Sequence, residues 1–336
     1  MDYRYLGNSG LRVSTISLGT MTFGATTHEA AARKIIDVAR AKGVNFIDTA
    51  DAYVGGASEV MLGKLIKKDR NNWVVATKVG QSDGTPERKK GLSKKWMREA
   101  IDHSLKSLQT DFVDIYYMHH VDWETPLEES IAAIGEIIAS GKALHWGFSN
   151  HRAWQIGEMV RLCDVMEVPR PIIAQPLYNM LNRSPENDLL PACELYGIGV
   201  VPYSPLARGV LTGKYTSKDG APKNSRAGRG DSSILNRDMN TESFQAVAKI
   251  TQHLKDRNIP VSDFAIQWLL NNQLVSSVIA GPRTLSQWNA YLGALKHQFT
   301  AEDEAFANTL VASGHHVVPG YTWGRYPVRG RVTING

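Results

Sequence analysis

Cysteine is scarce: 336 residues hold only Cys163 and Cys193. Two thiols cannot supply a disulfide framework, and they suit a reducing compartment, so a cytoplasmic location is expected. Long apolar runs are missing too. No stretch approaches the ~20 residues of a membrane-spanning helix, and the start MDYRYLGNSG lacks the apolar core of a secretory signal. Neither a membrane partner nor export is expected. Dense Lys/Arg runs with interleaved aromatics are absent, so the net charge of +5 does not point to nucleic acid. A basic pocket for an anionic cofactor accounts for part of that charge. No metal-ligating cluster stands out. No Gly-x-Gly-x-x-Gly follows a strand-like run, which excludes the usual Rossmann fingerprint. No Pro/Gly-rich linker divides the chain, so residues 1–336 read as one domain. Within it a barrel spans about 14–298 and a tail spans 313–336.

What is present is alternation. After a hairpin around Gly7–Gly10, STISLGT (14–20) reads as a first buried strand. VNFID (44–48), WVVATK (73–78), FVDIYYM (112–118), ALHWGFS (143–149), RPIIAQ (170–175), IGVVPYS (198–204) and LVSSVIAG (274–281) follow. Between them lie helical stretches at 28–42, 58–68, 97–109, 126–141, 151–166 and 261–272, several with a 3.6-residue apolar period. The strands are near-continuously apolar, the mark of a parallel sheet covered by helices. Their ends fall near 48, 78, 119, 149, 175 and 203. That spacing matches the roughly 31-residue unit of an eight-fold α/β barrel, a (β/α)8 TIM barrel.

Four residues stand just beyond these strands: Asp48, Tyr53, Lys78 and His119. Taken singly, each has an ordinary explanation: Asp48 as a helix cap, Tyr53 as packing, Lys78 as a solvated charge, and His119 or its neighbour His120 as structural. Taken together, they supply what carbonyl reduction needs. A tyrosine can protonate a forming alkoxide, but its ordinary pKa near 10 makes it a weak acid at neutral pH. A lysine beside it is expected to lower that pKa, with an aspartate holding the lysine. A histidine can orient the carbonyl. In barrels of this kind, chemistry sits at the C-terminal strand ends, where all four fall.

In this order and spacing the four residues resemble the tetrad of the aldo-keto reductase family. The resemblance covers roughly residues 3–298. It is strongest to the bacterial branch that shares YNMLNR-like (178–183) and SPLARG-like (204–209) stretches with potassium-channel β subunits. It implies a nicotinamide site. Ser149, Asn150 and Gln175 would hold the carboxamide, and Tyr203 would stack on the ring; read alone, Ser149-Asn150 is equally a helix N-cap. In SPLARGVLTGKY the resemblance implies diphosphate binding by Ser204, Pro205, Leu206, Arg208, Gly209 and Lys214, with Gly213 freeing backbone N–H groups. Gly19, Thr20, Met21 and Asp48 complete the implied set near the first two strands.

In AGPRTLSQW (280–288), Gly281, Arg283 and Gln287 fall at adenosine-phosphate positions. Tyr291 stands where the family often has asparagine. Arg283 is either a 2′-phosphate partner or a solvated cap, and the first reading favours NADPH over NADH. Met21, Phe23, Tyr53, Trp123, Tyr321, Trp323 and Tyr326 are pocket candidates, so the substrate is expected to offer apolar or ring surface. The polar loop 217–240 reads as a lid or a disordered segment. The tail covers the barrel mouth or packs on the surface. The function implied is reversible reduction of an aldehyde or ketone with NADPH, by a monomer or homo-oligomer. The alternative is a cofactor-sensing subunit like the channel β subunits. The chain shows no long N-terminal inactivation segment, which favours the enzyme.

Overall fold

The computed structural model describes residues 1–81, 91–218 and 220–321. Strands β1 (Tyr3–Tyr5) and β2 (Arg12–Ser14) form the antiparallel hairpin anticipated around Gly7. Eight parallel strands follow: β3 (Ile16–Gly19), β4 (Phe46–Asp48), β5 (Val74–Val79), β6 (Val113–Met118), β7 (Ala143–Ser149), β8 (Ile173–Gln175), β9 (Gly199–Val200) and β10 (Val278–Ala280). They pair in chain order from β3 to β9, and β10 pairs with β3. The free edge of β9 is closed by the segment leading into β10: Ser276 N donates to Val200 O (2.8 Å) and Ile279 N to Pro202 O (3.2 Å). The sheet is therefore a (β/α)8 barrel, as expected.

Several strands are shorter than the apolar runs that announced them. The runs at 170–175 and 198–204 shrink to three and two residues. Pro171, Pro176 and Pro202 lack the N–H that a ladder requires, so apolar character outlasts pairing there.

The helices around the barrel are α1 (Glu29–Ala41), α2 (Ala57–Ile66), α3 (Lys94–Leu108), α4 (Leu127–Ala139), α5 (Ala153–Val165) and α6 (Leu189–Tyr196). After the barrel's seventh strand come α7 (Ser232–Arg237), α8 (Thr241–His253), α9 (Val261–Leu270), α10 (Leu285–Gly293) and α11 (Ala301–Leu310). Sequence periodicity had not marked α6, α7, α8, α10 or α11. Among the described residues no helix is long and apolar enough to cross a membrane.

Two apolar layers hold this together. The larger joins the outer wall of the barrel to the helices; the smaller fills the barrel itself with Phe46, Ala76, Ile115, Tyr117, Ile173, Val201 and Ile279, plus Leu6 and Val13 from the hairpin. Each fully buried side chain of this size contributes roughly 1.5–3 kcal/mol. The hairpin thus plugs the base, and Arg4 fastens it by donating to Leu270 O (2.7 Å) and Val275 O (2.6 Å). Leu270 ends α9, so its carbonyl would otherwise lack a helical partner.

Alternation along the strands then positions the site. Side chains two residues apart share a face. One step beyond the buried layer of Phe46, Ala76, Tyr117, Ile173 and Val201 come Asp48, Lys78, His119, Gln175 and Tyr203. The apolar plug forces these polar groups together at the mouth.

Candidate active site

The core of the site is a buried ion pair. Lys78, with no exposed surface, donates from Nζ to Asp48 Oδ1 (2.5 Å) and to the Thr49 carbonyl (2.7 Å). Its third contact is the Tyr53 hydroxyl at 3.2 Å. Gln175 Nε2 donates to the other Asp48 oxygen (2.8 Å), so both carboxylate oxygens are engaged. Burial alone pushes the Asp48 carboxyl up, and Lys78 and Gln175 pull it back without fully offsetting this. Burial opposes the Lys78 cation, but Asp48 and Tyr53 outweigh it, leaving the ammonium held above its ordinary value.

Tyr53 lies on a turn, not a strand. Val54, Gly55 and Gly56 after it all have positive φ. For the β-branched Val54 this is a strained conformation, of the kind that persists where surrounding structure imposes it. The Tyr53 ring meets the His119 ring edge-on at 5.9 Å, and His119 stacks on His120 at 4.8 Å. The expected direction of the tyrosine shift is corrected here. Burial raises the Tyr53 pKa, and Lys78 opposes that only in part, so the phenol stays protonated. Lys78 limits a rise instead of producing a net fall.

Ser149, Asn150 and Gln175 are buried and bonded to one another. Ser149 Oγ donates to Gln175 O (2.7 Å), and Asn150 Nδ2 donates to His119 O (2.9 Å) and to Ser149 Oγ (3.0 Å). Tyr203 donates its hydroxyl to Asn150 Oδ1 (2.9 Å). Behind them His151 donates Nδ1–H to Ser149 O (2.8 Å), and burial pulls this imidazole down to about 4, so it is neutral. Asn179 of the YNMLNR stretch donates to Ser204 O (3.0 Å) and thereby braces the turn after Tyr203. Gly19 and Thr20 are wholly buried. The Thr20 hydroxyl donates to Asp48 O (3.1 Å) and meets Ser58 Oγ at 2.9 Å, while Met21 is exposed. Phe23, a pocket candidate, is instead fully buried in the outer core. Trp123 is exposed and Tyr321 half-buried; Trp323 and Tyr326 lie outside the described residues.

The SPLARG turn has an unusual backbone. Ser204, Ala207, Arg208 and Gly209 all have positive φ. Nests of backbone N–H groups suit anions, but here Ala207 N and Gly209 N turn inward to Ser204 O (2.9 Å) and Leu206 O (2.7 Å), which leaves the other amides of the turn to face outward. Gly209 also lies where a Cβ would come within 3.0 Å of Lys214 Nζ, so any larger residue would push the ammonium aside. Pro205 and Leu206 are buried beneath the turn. The reading of Arg208 as a diphosphate partner meets an obstacle: its guanidinium is 6% exposed and donates to Asp238 (2.7 Å). The loop 217–240 is tied down at that point and again at Asn224.

At Asn224 two guanidiniums converge. Arg283 Nη2 (2.9 Å) and Arg229 Nη1 (2.8 Å) donate to the same carbonyl oxygen. Burial and the neighbouring Arg229 both disfavour the Arg283 cation. Gln287 accepts from Arg283 N (2.8 Å) and fixes the turn, Gly281 borders open space, and the Tyr291 hydroxyl lies against the Gly281 backbone. Sequence reading had missed Arg229, Asp238, Thr49 and the Gln175–Asp48 bond. None has a local signature, because each depends on a partner distant in the chain.

The model of the Aldo/keto reductase family matches residues 15–309. The chain belongs to the aldo/keto reductase family. This family comprises NAD(P)H-dependent oxidoreductases, and the match spans every barrel strand. Among its relatives is a protein of Arabidopsis thaliana described as a probable voltage-gated potassium channel subunit beta. It is 38% identical over 293 residues, covering 85% of this chain and 89% of the relative. A protein of Oryza sativa subsp. japonica with the same description is 37% identical over 287 residues, covering 84% and 87%. These names describe those two proteins.

Proposed function

We propose that this aldo/keto reductase reduces an aldehyde or ketone to the alcohol with NADPH, reversibly, with Tyr53 as the proton donor. The observation that carries the reading is the buried Asp48–Lys78–Tyr53 chain beside His119. A protonated phenol next to a locked ammonium can release its proton to an oxygen gaining negative charge, and Lys78 then stabilises the phenolate left behind. His119, at the rim beside Tyr53, orients the carbonyl oxygen. Asp48, Gln175 and the Thr49 carbonyl fix Lys78 so that the acid and its cation do not drift apart.

The residues fit a nicotinamide dinucleotide phosphate. The turn carrying Ser204, Leu206 and Arg208, with the Lys214 ammonium beside Gly209, suits a diphosphate. Ser149, Asn150 and Gln175 suit a carboxamide, and Tyr203 offers a flat face. When bound, the nicotinamide supplies the hydride. Preference for the 2′-phosphate rests on Arg229 and Arg283, two cations sharing one neutral carbonyl. An anion between them would relieve their repulsion and accept charge-assisted hydrogen bonds. Replacing either with Ala is expected to remove about 1.5–3 kcal/mol, or roughly 10- to 150-fold in NADPH affinity, while NADH binding hardly changes. Fluorescence titration of both cofactors in wild type and the two variants measures this. A wild type that prefers NADH would contradict the NADPH assignment.

The relatives' names favour one alternative, a cofactor-sensing subunit with little turnover. Consumption of NADPH by the purified chain with a simple aldehyde separates the two. Steady turnover supports the reductase, whereas tight NADPH binding without turnover of any carbonyl supports the sensor.

A further inference from the structure

One neighbour of the Lys78 ammonium makes no hydrogen bond to it. The N–H groups of Lys78 go to Asp48, the Thr49 carbonyl and the Tyr53 hydroxyl, which leaves no donor for a further partner. The same nitrogen nevertheless lies over two aromatic rings, 4.8 Å from the centroid of Tyr53 and 5.7 Å from that of Tyr117. Both distances fall within the roughly 6 Å at which the negative face of a ring attracts a cation. Such attraction needs no N–H and is strongest where water is excluded. Lys78 and Tyr117 are both wholly buried.

Strand register puts the ring there. Tyr117 on β6 is the in-register partner of Lys78 on β5, and its partner on the other side, on β7, is Gly147. Residues paired across neighbouring strands share a face, so the ring and the lysine stem rise together into the barrel. Gly147 has no side chain to compete for the space, and an added Cβ there would strike the Ile173 carbonyl. Much of the surrounding plug is aliphatic: Ala76, Ile115, Ile173, Val201 and Ile279. Such side chains fill volume but offer a cation nothing. The Tyr117 hydroxyl lies near the Gln175 amide without a hydrogen bond of ordinary geometry. Burial, and next the Asp48 carboxylate, hold this phenol protonated, so its ring is a neutral π face and not a second anion.

We infer that Tyr117 is a positioning residue for the reaction, its ring holding the Lys78 ammonium charged and in place behind Tyr53. This deepens the carbonyl-reductase reading and rests on it, because it takes Lys78 as the cation that stabilises the Tyr53 phenolate. The other titratable groups acting on Lys78 are Asp48 and Tyr53, with Glu59 of α2 farther back. Tyr117 is separable from all three because it carries no charge. A cation over a buried ring is worth about 2- to 30-fold in the equilibrium it favours.

The test changes the electrons of the ring while keeping its shape. Tyr117→Phe retains the π face, phenylalanines carrying one, two or three ring fluorines at this position withdraw it stepwise, and Tyr117→Leu removes it. Each is also made in the Lys78→Met background, and unfolding equilibria are measured with denaturant at pH 7. With Lys78 present, the fluorinated variants are expected to lose stability relative to Tyr117→Phe in order of fluorine number, by up to about 30-fold in the folding equilibrium. In the Lys78→Met background that ordered loss should vanish, because packing effects are common to both backgrounds. Equal losses in both would overturn the inference and leave Tyr117 as packing alone.

Activity gives the second readout. Reduction needs the ammonium, so easier loss of its proton should move the alkaline fall in kcat to lower pH. The shift should reach up to about 1.5 pH units in Tyr117→Leu and follow fluorine number in the other variants, with Tyr117→Phe near wild type. An alkaline limb indifferent to fluorine number would overturn the role in the reaction. Should Lys78→Met not fold, that limb decides. If no carbonyl is turned over, the stability cycle decides alone: an ordered, Lys78-dependent loss upholds the hold of Tyr117 on Lys78 while the reductase reading fails.

Discussion

Lys78 has no solvent to fall back on, so its charge depends on Asp48, the Thr49 carbonyl and Tyr53. Removing one member of such a buried pair strands the other, at a cost of about 3–5 kcal/mol. Lys78→Met should therefore lower thermal stability as well as activity. It also removes the one group that opposes burial at Tyr53. The sign follows: without the ammonium, the phenol pKa moves further up. Reduction needs the protonated phenol, so the alkaline fall in residual kcat should shift to higher pH. Asp48→Asn removes a charge that raises the Tyr53 pKa, so with Lys78 still held by the Thr49 carbonyl its alkaline limb should move the other way, to lower pH. A pH–rate profile of each variant checks this, and an unshifted alkaline limb in Lys78→Met would contradict the coupling.

At the scale of elements, α11 docks on α8 through one buried carboxylate. Asp303 accepts from Arg257 through both oxygens and from His253 Nε2 (2.8 Å), and it closes a capping box with Thr300. Burial disfavours its charge, but these donors outweigh burial and hold the carboxyl far below its ordinary range. A depressed carboxylate adds stability that is fully present above its unfolded pKa near 4 and is lost as pH falls below that. Acid unfolding should steepen below about pH 4 in wild type. Asp303→Asn should unfold at lower temperature at pH 7 and lose less of its stability on acidification. Equal acid sensitivity in both proteins would show that another group governs that limb. The same helix leads into the segment that pairs with the YNMLNR stretch, where Val317 N donates to Leu181 O (2.8 Å) and Arg183 N to His315 O (2.8 Å). Near the barrel mouth, then, the described part of the tail is ordered against the site's own bracing.

For the whole molecule, sequence and structure agree where information is local and repeated. Apolar strands at a barrel's spacing were legible, as were Asp48, Lys78 and His119 at their ends, because strand alternation converts position in the chain into position at the mouth; Tyr53 reaches the same mouth from the turn beyond β4. Helices such as α8 and α10 were missed, since they carry their apolar faces amid polar residues and start on Asn240 and Thr284 caps that also suit loops. Partners contributed from afar were not legible either. Asp238 on Arg208 and Arg229 beside Arg283 are juxtapositions made by the fold. The net pKa of Tyr53 likewise depends on burial depth, which no spacing encodes. Carbonyl reduction by this barrel depends, as proposed, on a protonated Tyr53 at its mouth. Its most direct test is NADPH oxidation by a simple aldehyde in wild type and in Tyr53→Phe, with NADPH affinity measured on both. Steady wild-type turnover, a loss of at least about 10²–10⁴-fold in the variant, and little change in cofactor affinity are expected. Near-normal turnover by a folded Tyr53→Phe protein would contradict it.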